Sequence, residues 1–271
     1  MVQLRDKVVV ITGAGSGIGR ATALAFADQG ARVHGVDVRE DRLVDLHRDL
    51  DDRRLGFGGH VVDVRDPEAV QGLAEDVFAE DRRVDVLFNN AGVVVGGPVH
   101  HLTLEDWRLA VDVNLLGVIH GIHAFLPRMI HQGGGGHIVN TASIAGLAAF
   151  PMVVPYSATK FAVVGLSEAL DLELAPHDIR VSGLCPGAVR TRVMEDGALG
   201  MSASGQSLVD RWTRHFGLSA EDVAAEVLDE VRKGRGGVRT FGLGSKPMWL
   251  LRRGSVAAYE RIMWEIGRRV L

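Results

Sequence analysis

The chain has little with which to cross-link itself. Its 271 residues include one cysteine, Cys185. A lone thiol closes no internal disulfide, and without a CxxC pair there is no thiolate metal motif. Positive charge is not in excess either. Lys and Arg number 30 against 34 Asp and Glu, a formal net charge of −4. That balance argues against nucleic acid or an anionic membrane as the partner. Long apolar runs are missing too: Gly and Pro break them below the ~18 residues that a spanning helix needs. The opening MVQLRDKVVVITG has no apolar region ahead of a cleavage site, so no secretory signal is expected. No repeat and no linker-like stretch divides the sequence. These absences lead to the expectation of a soluble cytoplasmic protein.

What is present is a regular alternation. The chain is 46% hydrophobic, enough for a large core. Its 34 glycines are dispersed and read as tight turns. Short β-branched runs predict strands near 7–11, 31–36, 59–63, 84–88, 136–141, 179–184 and 237–241. Segments of 3.6-residue periodicity lie between the first six, among them 20–30, 67–80 and 161–175. In the first of these, Gly30 suits the position just past the helix end. Such alternation predicts an α/β fold of Rossmann-like, doubly wound type, a mostly parallel seven-stranded sheet with helices on both faces. We expect one domain over 1–241, including a lid at 187–216, with 242–271 as a helical extension of that domain. In the last helix Tyr259, Ile262, Met263, Ile266 and Val270 share one face.

The first predicted strand runs into TGAGSGIG (12–19), where Gly13, Gly17 and Gly19 form G-x-x-x-G-x-G. Between a strand and a helix, such glycines allow φ > 0 and close approach of a diphosphate to a helix N-terminus. Asp37 ends the second strand, 18 residues after Gly19. A carboxylate there can accept from the ribose hydroxyls of NAD and repel a 2′-phosphate; otherwise it is a solvated strand end. Asp63 either caps an adenine edge or starts the helix before Pro67. NNAG (89–92) brings small residues and amides to the end of the fourth strand. Asn114 lies in an otherwise apolar helix, where an amide must be bonded. It serves the backbone, a site, or both. Tyr156 and Lys160 stand four apart, one helical turn, which places a phenol beside a cation able to favour its ionised form.

In this order and spacing, TGAGSGIG, Asp63, NNAG, Asn114, Ser143, Tyr156-x-x-x-Lys160, Pro186-Gly187 and Thr191 carry a resemblance. The sequence resembles the short-chain dehydrogenase/reductases, in their compact single-domain branch, over about residues 5 to 241. The resemblance implies a catalytic set of Asn114, Ser143, Tyr156 and Lys160. Tyr156 would be the general acid/base. Ser143 would bond the substrate oxygen, and Lys160 the nicotinamide ribose. Asn114 would hold a water in a proton relay. The cofactor would lie against Gly13, Ser16, Gly17, Ile18 and Gly19, then Asp37, Val38, Asp63 and Val64. Beyond these would come Asn90, Ala91, Gly92, Tyr156 and Lys160, and Pro186, Gly187, Val189 and Thr191 at the carboxamide.

The implied activity is an NAD-dependent interconversion of an apolar secondary alcohol and its ketone. NADP is the less favoured cofactor, because Ser16 and Val38 stand where NADP-preferring relatives carry basic residues; Arg39 is the reservation. The apolar substrate rests on Val94, Val95, Ala149, Phe150, Met152 and Val153, and on Met194, Met201, Leu208, Trp212 and Phe216 of the lid. The rivals are an NADPH-dependent carbonyl reductase of 3-oxoacyl or ketosteroid type, and a non-catalytic NAD-binding sensor or scaffold. His100, His101, His120 and His123 lack a spaced Cys or carboxylate partner, so no metal is expected. Cys185 reads as a small apolar filler. The Trp and Arg of the tail favour packing over a membrane surface. Relatives in the family imply a homodimer or homotetramer.

Overall fold

The computed structural model describes residues 2–51, 56–190, 198–199, 217–242 and 245–270. In chain order the main elements are β1 (Val8–Thr12), α1 (Gly17–Asp28), β2 (Arg32–Asp37), α2 (Glu40–Asp51), β3 (Phe57–Val61) and α3 (Pro67–Asp81). Next come β4 (Val86–Asn89), β5 (Val95–Gly96), α4 (Leu104–Val111), α5 (Gly117–Gln132), β6 (Gly136–Thr141) and α6 (Val154–Glu173). The last are β7 (Ile179–Pro186), β8 (Ala198–Leu199), α7 (Ala220–Lys233), β9 (Gly237–Phe241), α8 (Ser245–Gly254) and α9 (Val256–Val270). Seven strands form one sheet in the order β3-β2-β1-β4-β6-β7-β9. Every pairing in it is parallel. The expected α/β class and doubly wound sheet hold.

Strand pleating divides the interior into two cores. Val8 and Val10 of β1 point into one with Leu73, Val77 and Phe125. Val9 and Ile11 point into the other with Phe26, Leu46 and Val227. A strand buried on both faces reads as the continuous VVVI of the sequence. Local chemistry sets the helix ends. Asp66 caps α3 by accepting from the Glu68 and Ala69 backbone N–H groups, ahead of Pro67 at its first turn. Asp63 is therefore not the helix cap. Capping boxes start α4 (Thr103 with Asp106) and α7 (Ser219 with Asp222). Gly30, at φ 79°, stops α1 as the sequence suggested; the Ala31 N–H closes the turn on Phe26 O at 3.2 Å.

The run 104–132 departs from expectation. Its glycines and Pro127 do not end it, and α4 and α5 join through a π-helical turn, Asp112–Leu116. By length and composition alone this joined helix is long and apolar enough to cross a membrane, a test that the core helix of a globular protein also passes. Its glycines instead mark close packing. A Cβ on Gly117 would meet Val64 Cγ2 at 2.8 Å, and one on Gly121 would strike Asn89 Oδ1. Helix α5 lies against α3 and the sheet end, with Phe125 and Met129 buried at 1% exposure.

At the C-terminus the structure has two helices where one was expected. Tyr259 of α9 is buried and Met263 half-buried, whereas Ile262 is 45% exposed. The side chains of Ile266 and Val270 lie outside the described residues. Most of the expected lid also lies outside them. The ends of that segment are pinned together: Leu218 N–H donates to Ala188 O, and Arg190 N–H to Leu218 O, each at 2.9 Å. Gly121→Ala should cost about 1–3 kcal/mol through this close contact, lowering the thermal midpoint by several degrees. An unchanged midpoint would show that α5 has room to move.

Candidate active site

Strand order reverses between β1 and β4, so the crevice at their C-terminal ends is the expected ligand site of an open parallel sheet. A cleft of about 400 Å³ opens there. Thr12, the last residue of β1, ties its two walls together. Its Oγ1 accepts from the Asn90 and Ala91 N–H groups at 2.9 and 3.0 Å, while Asn90 Nδ2 donates to Thr12 O at 3.0 Å. Gly13 and Gly17 carry φ of 66° and 51°, which glycine adopts without strain. Gly19 does not line the cleft. A Cβ there would strike Gly13 O, so its lack of a side chain lets α1 close on the turn.

The turn suits a dinucleotide. Ser16 caps α1 without a side-chain hydrogen bond, in contrast to the capped starts of α3, α4 and α7. The helix N-terminus thus opens to the cleft with the polarity an anionic diphosphate favours. Asp37 lies 8% exposed at the end of β2, its Oδ2 accepting from Gly15 N–H at 2.9 Å and its Oδ1 from Arg39 N–H at 3.0 Å. A Cβ on Gly15 would meet Asp37 Oδ2 at 2.8 Å and Arg42 Cβ at 2.6 Å. The glycine therefore shapes the carboxylate's seat. Arg39 turns its guanidinium to Asp41, with bonds of 3.0 and 2.9 Å. Across the cleft, Asp63 is gripped by the Arg65 guanidinium at 2.6 to 3.0 Å, which holds its carboxyl below the ordinary value.

At the other end of the cleft, α6 presents Tyr156 and Lys160 to Ser143, the cap of the turn after β6. Lys160 is 2% exposed, and Nζ donates to Thr141 O at 2.7 Å. Burial pulls its pKa down to about 8. Tyr156 keeps some surface on the cleft, yet protein crowds it on every other side. That burial raises its phenol pKa, and a hydrogen bond with Ser143 partly offsets the rise. Lys160 Nζ stands 5.6 Å from the Tyr156 ring centre. The lowering of the phenol expected from Lys160 does not set its direction in this state; burial does. A phenol crowded by protein keeps its proton.

Asn114 is fully buried in the π turn. Its Oδ1 accepts from Val93 N–H at 2.8 Å, and its Nδ2 donates to Val93 O at 2.9 Å and Thr159 Oγ1 at 3.4 Å. The amide fixes the backbone just after NNAG, which is the structural half of the alternatives the sequence left open. Gly92, beside it, leaves room: a Cβ would lie 3.2 Å from Asn114 Oδ1 and 3.6 Å from Lys160 Nζ.

Most of the expected cofactor residues line this one cleft: Gly13, Ser16, Gly17, Ile18, Asp37, Val38, Asp63, Val64, Asn90, Ala91, Gly92, Pro186, Gly187 and Val189. Gly19 and Asn114 stand behind it, and Thr191 lies outside the described residues. Sequence reasoning passed over Thr12, Gly15, Arg42, Arg65 and Thr141. Thr12 and Gly15 lie inside the quoted TGAGSGIG. The others are ordinary in sequence and gain meaning only from what they face. Of the expected apolar wall, Val94 and Val95 are buried and do not face the cleft, Ala149, Phe150, Met152 and Val153 keep exposed surface, and Met194, Met201, Leu208, Trp212 and Phe216 lie outside the described residues. Among the described residues, Val93, Leu109 and Val113 line the cleft. His120 is tied to Val64 O at 2.8 Å. Burial pushes the Cys185 thiol up to about 12, which suits a filler.

The short chain dehydrogenase family matches residues 7–199. The chain belongs to this family. SadH of Mycobacterium tuberculosis is 35% identical over 266 residues, 97% of this chain and 96% of that one. A D-threitol dehydrogenase of Mycolicibacterium smegmatis is 40% identical over 191 residues, 70% of this chain and 73% of that one. A short chain dehydrogenase/reductase from Burkholderia phymatum, solved with NAD, superposes with a TM-score of 0.87 at 33% identity, covering 94% of this chain and 96% of that one. The protein is thus a family oxidoreductase whose structural neighbour binds NAD.

The buried lysine gives a pH test. Lys160 falls from an ordinary value of 10.5 to about 8 in the fold. Between those values the unfolded chain binds more protons, so this group's contribution to stability rises with pH. Wild type should gain on Lys160→Met by up to a few kcal/mol from pH 8 to pH 10 in parallel thermal melts. Parallel pH dependence of the two proteins would refute the lowered value.

Proposed function

We propose that the protein is an NAD-dependent dehydrogenase that interconverts a secondary alcohol and its ketone. The observation that carries this reading is the convergence of Ser143, Tyr156 and Lys160 at one end of a cleft whose other end holds Asp37. Ser143 Oγ bonds the substrate oxygen. Tyr156 Oη takes the alcohol proton in oxidation and returns it in reduction. Lys160 Nζ, oriented by Thr141 O, stabilises the phenolate when the proton has moved and would bond the nicotinamide ribose. Asn114 holds the Val93 backbone and would also hold a water in a proton relay with Lys160. Bound in the cleft, the nicotinamide would supply or accept the hydride. Pro186, Gly187, Val189 and Thr191 would hold its carboxamide side.

Asp37 supports NAD over NADP, because its carboxylate would repel a 2′-phosphate. The pairing of Arg39 with Asp41 supports the same choice. The second reading, an NADPH-dependent carbonyl reductase, draws support from Arg39, Arg42 and Arg65 around that end of the cleft. The apolar Val93, Leu109 and Val113 support an apolar substrate. The rival binding module has no use for the Tyr156–Lys160 pair. We place the protein in the cytoplasm as one domain. Exposed Leu116, Ile119 and Leu172 support a homodimer or homotetramer.

Fluorescence titration of NADH and NADPH against wild type and Asp37→Ala tests the cofactor. Wild type should bind NADH at least about tenfold tighter, with the preference lost in the variant. NADPH binding as tightly as NADH would favour the reductase. With NAD⁺ and a panel of apolar secondary alcohols, Tyr156→Phe should lower turnover about 10²–10⁴-fold while NADH affinity holds. Undiminished turnover would remove Tyr156 from its role.

A further inference from the structure

The C-terminal helices reach back to the segment that joins Ser143 to Tyr156. Tyr259 of α9 is 6% exposed. Its Oη accepts from Ala149 N–H at 2.6 Å and lies 3.2 Å from Ala149 O, to which it donates. A phenol can satisfy both backbone groups of one residue because it is donor and acceptor at once. Arg252 of α8 donates to Leu147 O at 2.8 Å. Its guanidinium also lies over the rings of Phe161, at 4.6 Å, and Tyr259, at 5.8 Å. Phe161 is the residue after Lys160, so the same guanidinium touches the segment and the catalytic helix.

The segment needs such support. Residues 147–153 carry no strand ladder, so their backbone groups must find partners elsewhere. Met152 is held at φ 69°, a left-handed conformation that costs a non-glycine residue and persists only where its surroundings impose it. Gly97 N–H pins it from the far side by donating to Met152 O at 2.6 Å. The stretch is thus fastened at Leu147, Ala149 and Met152, in two cases by side chains from more than 100 residues later in the chain.

We propose that Tyr259 and Arg252 are positioning residues that fix this segment and, through it, the wall that substrate meets between Ser143 and Tyr156. The assignment of substrate to that wall rests on the function proposed above; the clamp itself rests on the contacts. The C-terminal extension then acts in this chain's own site.

Tyr259→Phe tests this with little risk to folding, since it keeps the ring that Arg252 covers and removes only the hydroxyl. Amide hydrogen exchange across 147–152 should quicken about tenfold, with the central strands unchanged. NADH affinity should stay within about twofold, while KM for the alcohol that wild type turns over best rises about tenfold and kcat moves less. Arg252→Lys, which keeps a donor, should fall between wild type and Arg252→Met. Unchanged exchange across 147–152 in Tyr259→Phe would overturn the clamp. Faster exchange with an unchanged KM would overturn its role toward substrate. A wild type that turns over no alcohol would overturn that role together with the proposed function, and the exchange result would then leave a purely structural clamp.

Discussion

The site is organised around an ammonium group withdrawn from water. Lys160 has almost no exposed surface, and a buried cation survives only where dipoles are aimed at it. Thr141 O supplies one, at the end of β6. That requirement fixes α6 against the sheet and sets Tyr156, one turn earlier, at the cleft. Gly92 clears the space beside Nζ, and Asn114 holds the following backbone in place. Burial lowers Lys160 and raises Tyr156, so both groups are displaced toward their neutral forms. A phenol that keeps its proton until a positive charge arrives beside it is suited to act when a cofactor is bound.

The opposite end of the cleft follows a different rule. Charges there are exposed and paired in sequence-local couples, Arg39 with Asp41 and Arg65 with Asp63. Asp37 is the exception, since backbone N–H groups hold it. The Gly15 N–H reaches it because no side chain intervenes. At this end a carboxylate is thus fixed by the main chain, beside the Arg39 and Arg65 guanidinium groups whose charge is balanced nearby. Between the ends, Thr12 and Asn90 stitch β1 to β4, so the cleft's width is set by the sheet.

Much of this was legible in the sequence. Apolar runs marked the inner strands such as β1 and β4, because a strand buried on both faces has no polar side to blur the signal, and the half-buried edge strands β3 and β9 were marked as well. The glycine turn, Asp37, NNAG and the Tyr156–Lys160 pair each carry their chemistry in local spacing. What escaped depended on contact across the fold. Thr141 matters through Lys160, which its carbonyl meets 19 residues along the chain, and nothing in its neighbourhood says so. Gly117 and Gly121 stand inside the expected helix, but their role as close-packing sites against Val64 and Asn89 depends on elements distant in sequence. Val94 and Val95 looked like a substrate wall because they are apolar, yet apolarity alone cannot separate a lining residue from a core residue. Tyr259 shares an apolar face of the last helix in the sequence, but nothing there marks its partner 110 residues earlier.

The most direct measurement is ¹³C NMR of the protein labelled at tyrosine Cζ, followed with pH in the absence of nucleotide. There are only two tyrosines, and Tyr156→Phe assigns the signals. The account predicts that Tyr156 ionises above the ordinary phenol value of 10.0, because burial outweighs its bond to Ser143. Ionisation of Tyr156 at or below that value in the free protein would show that Lys160 controls the phenol unaided, and would contradict the balance on which this reading of the site depends.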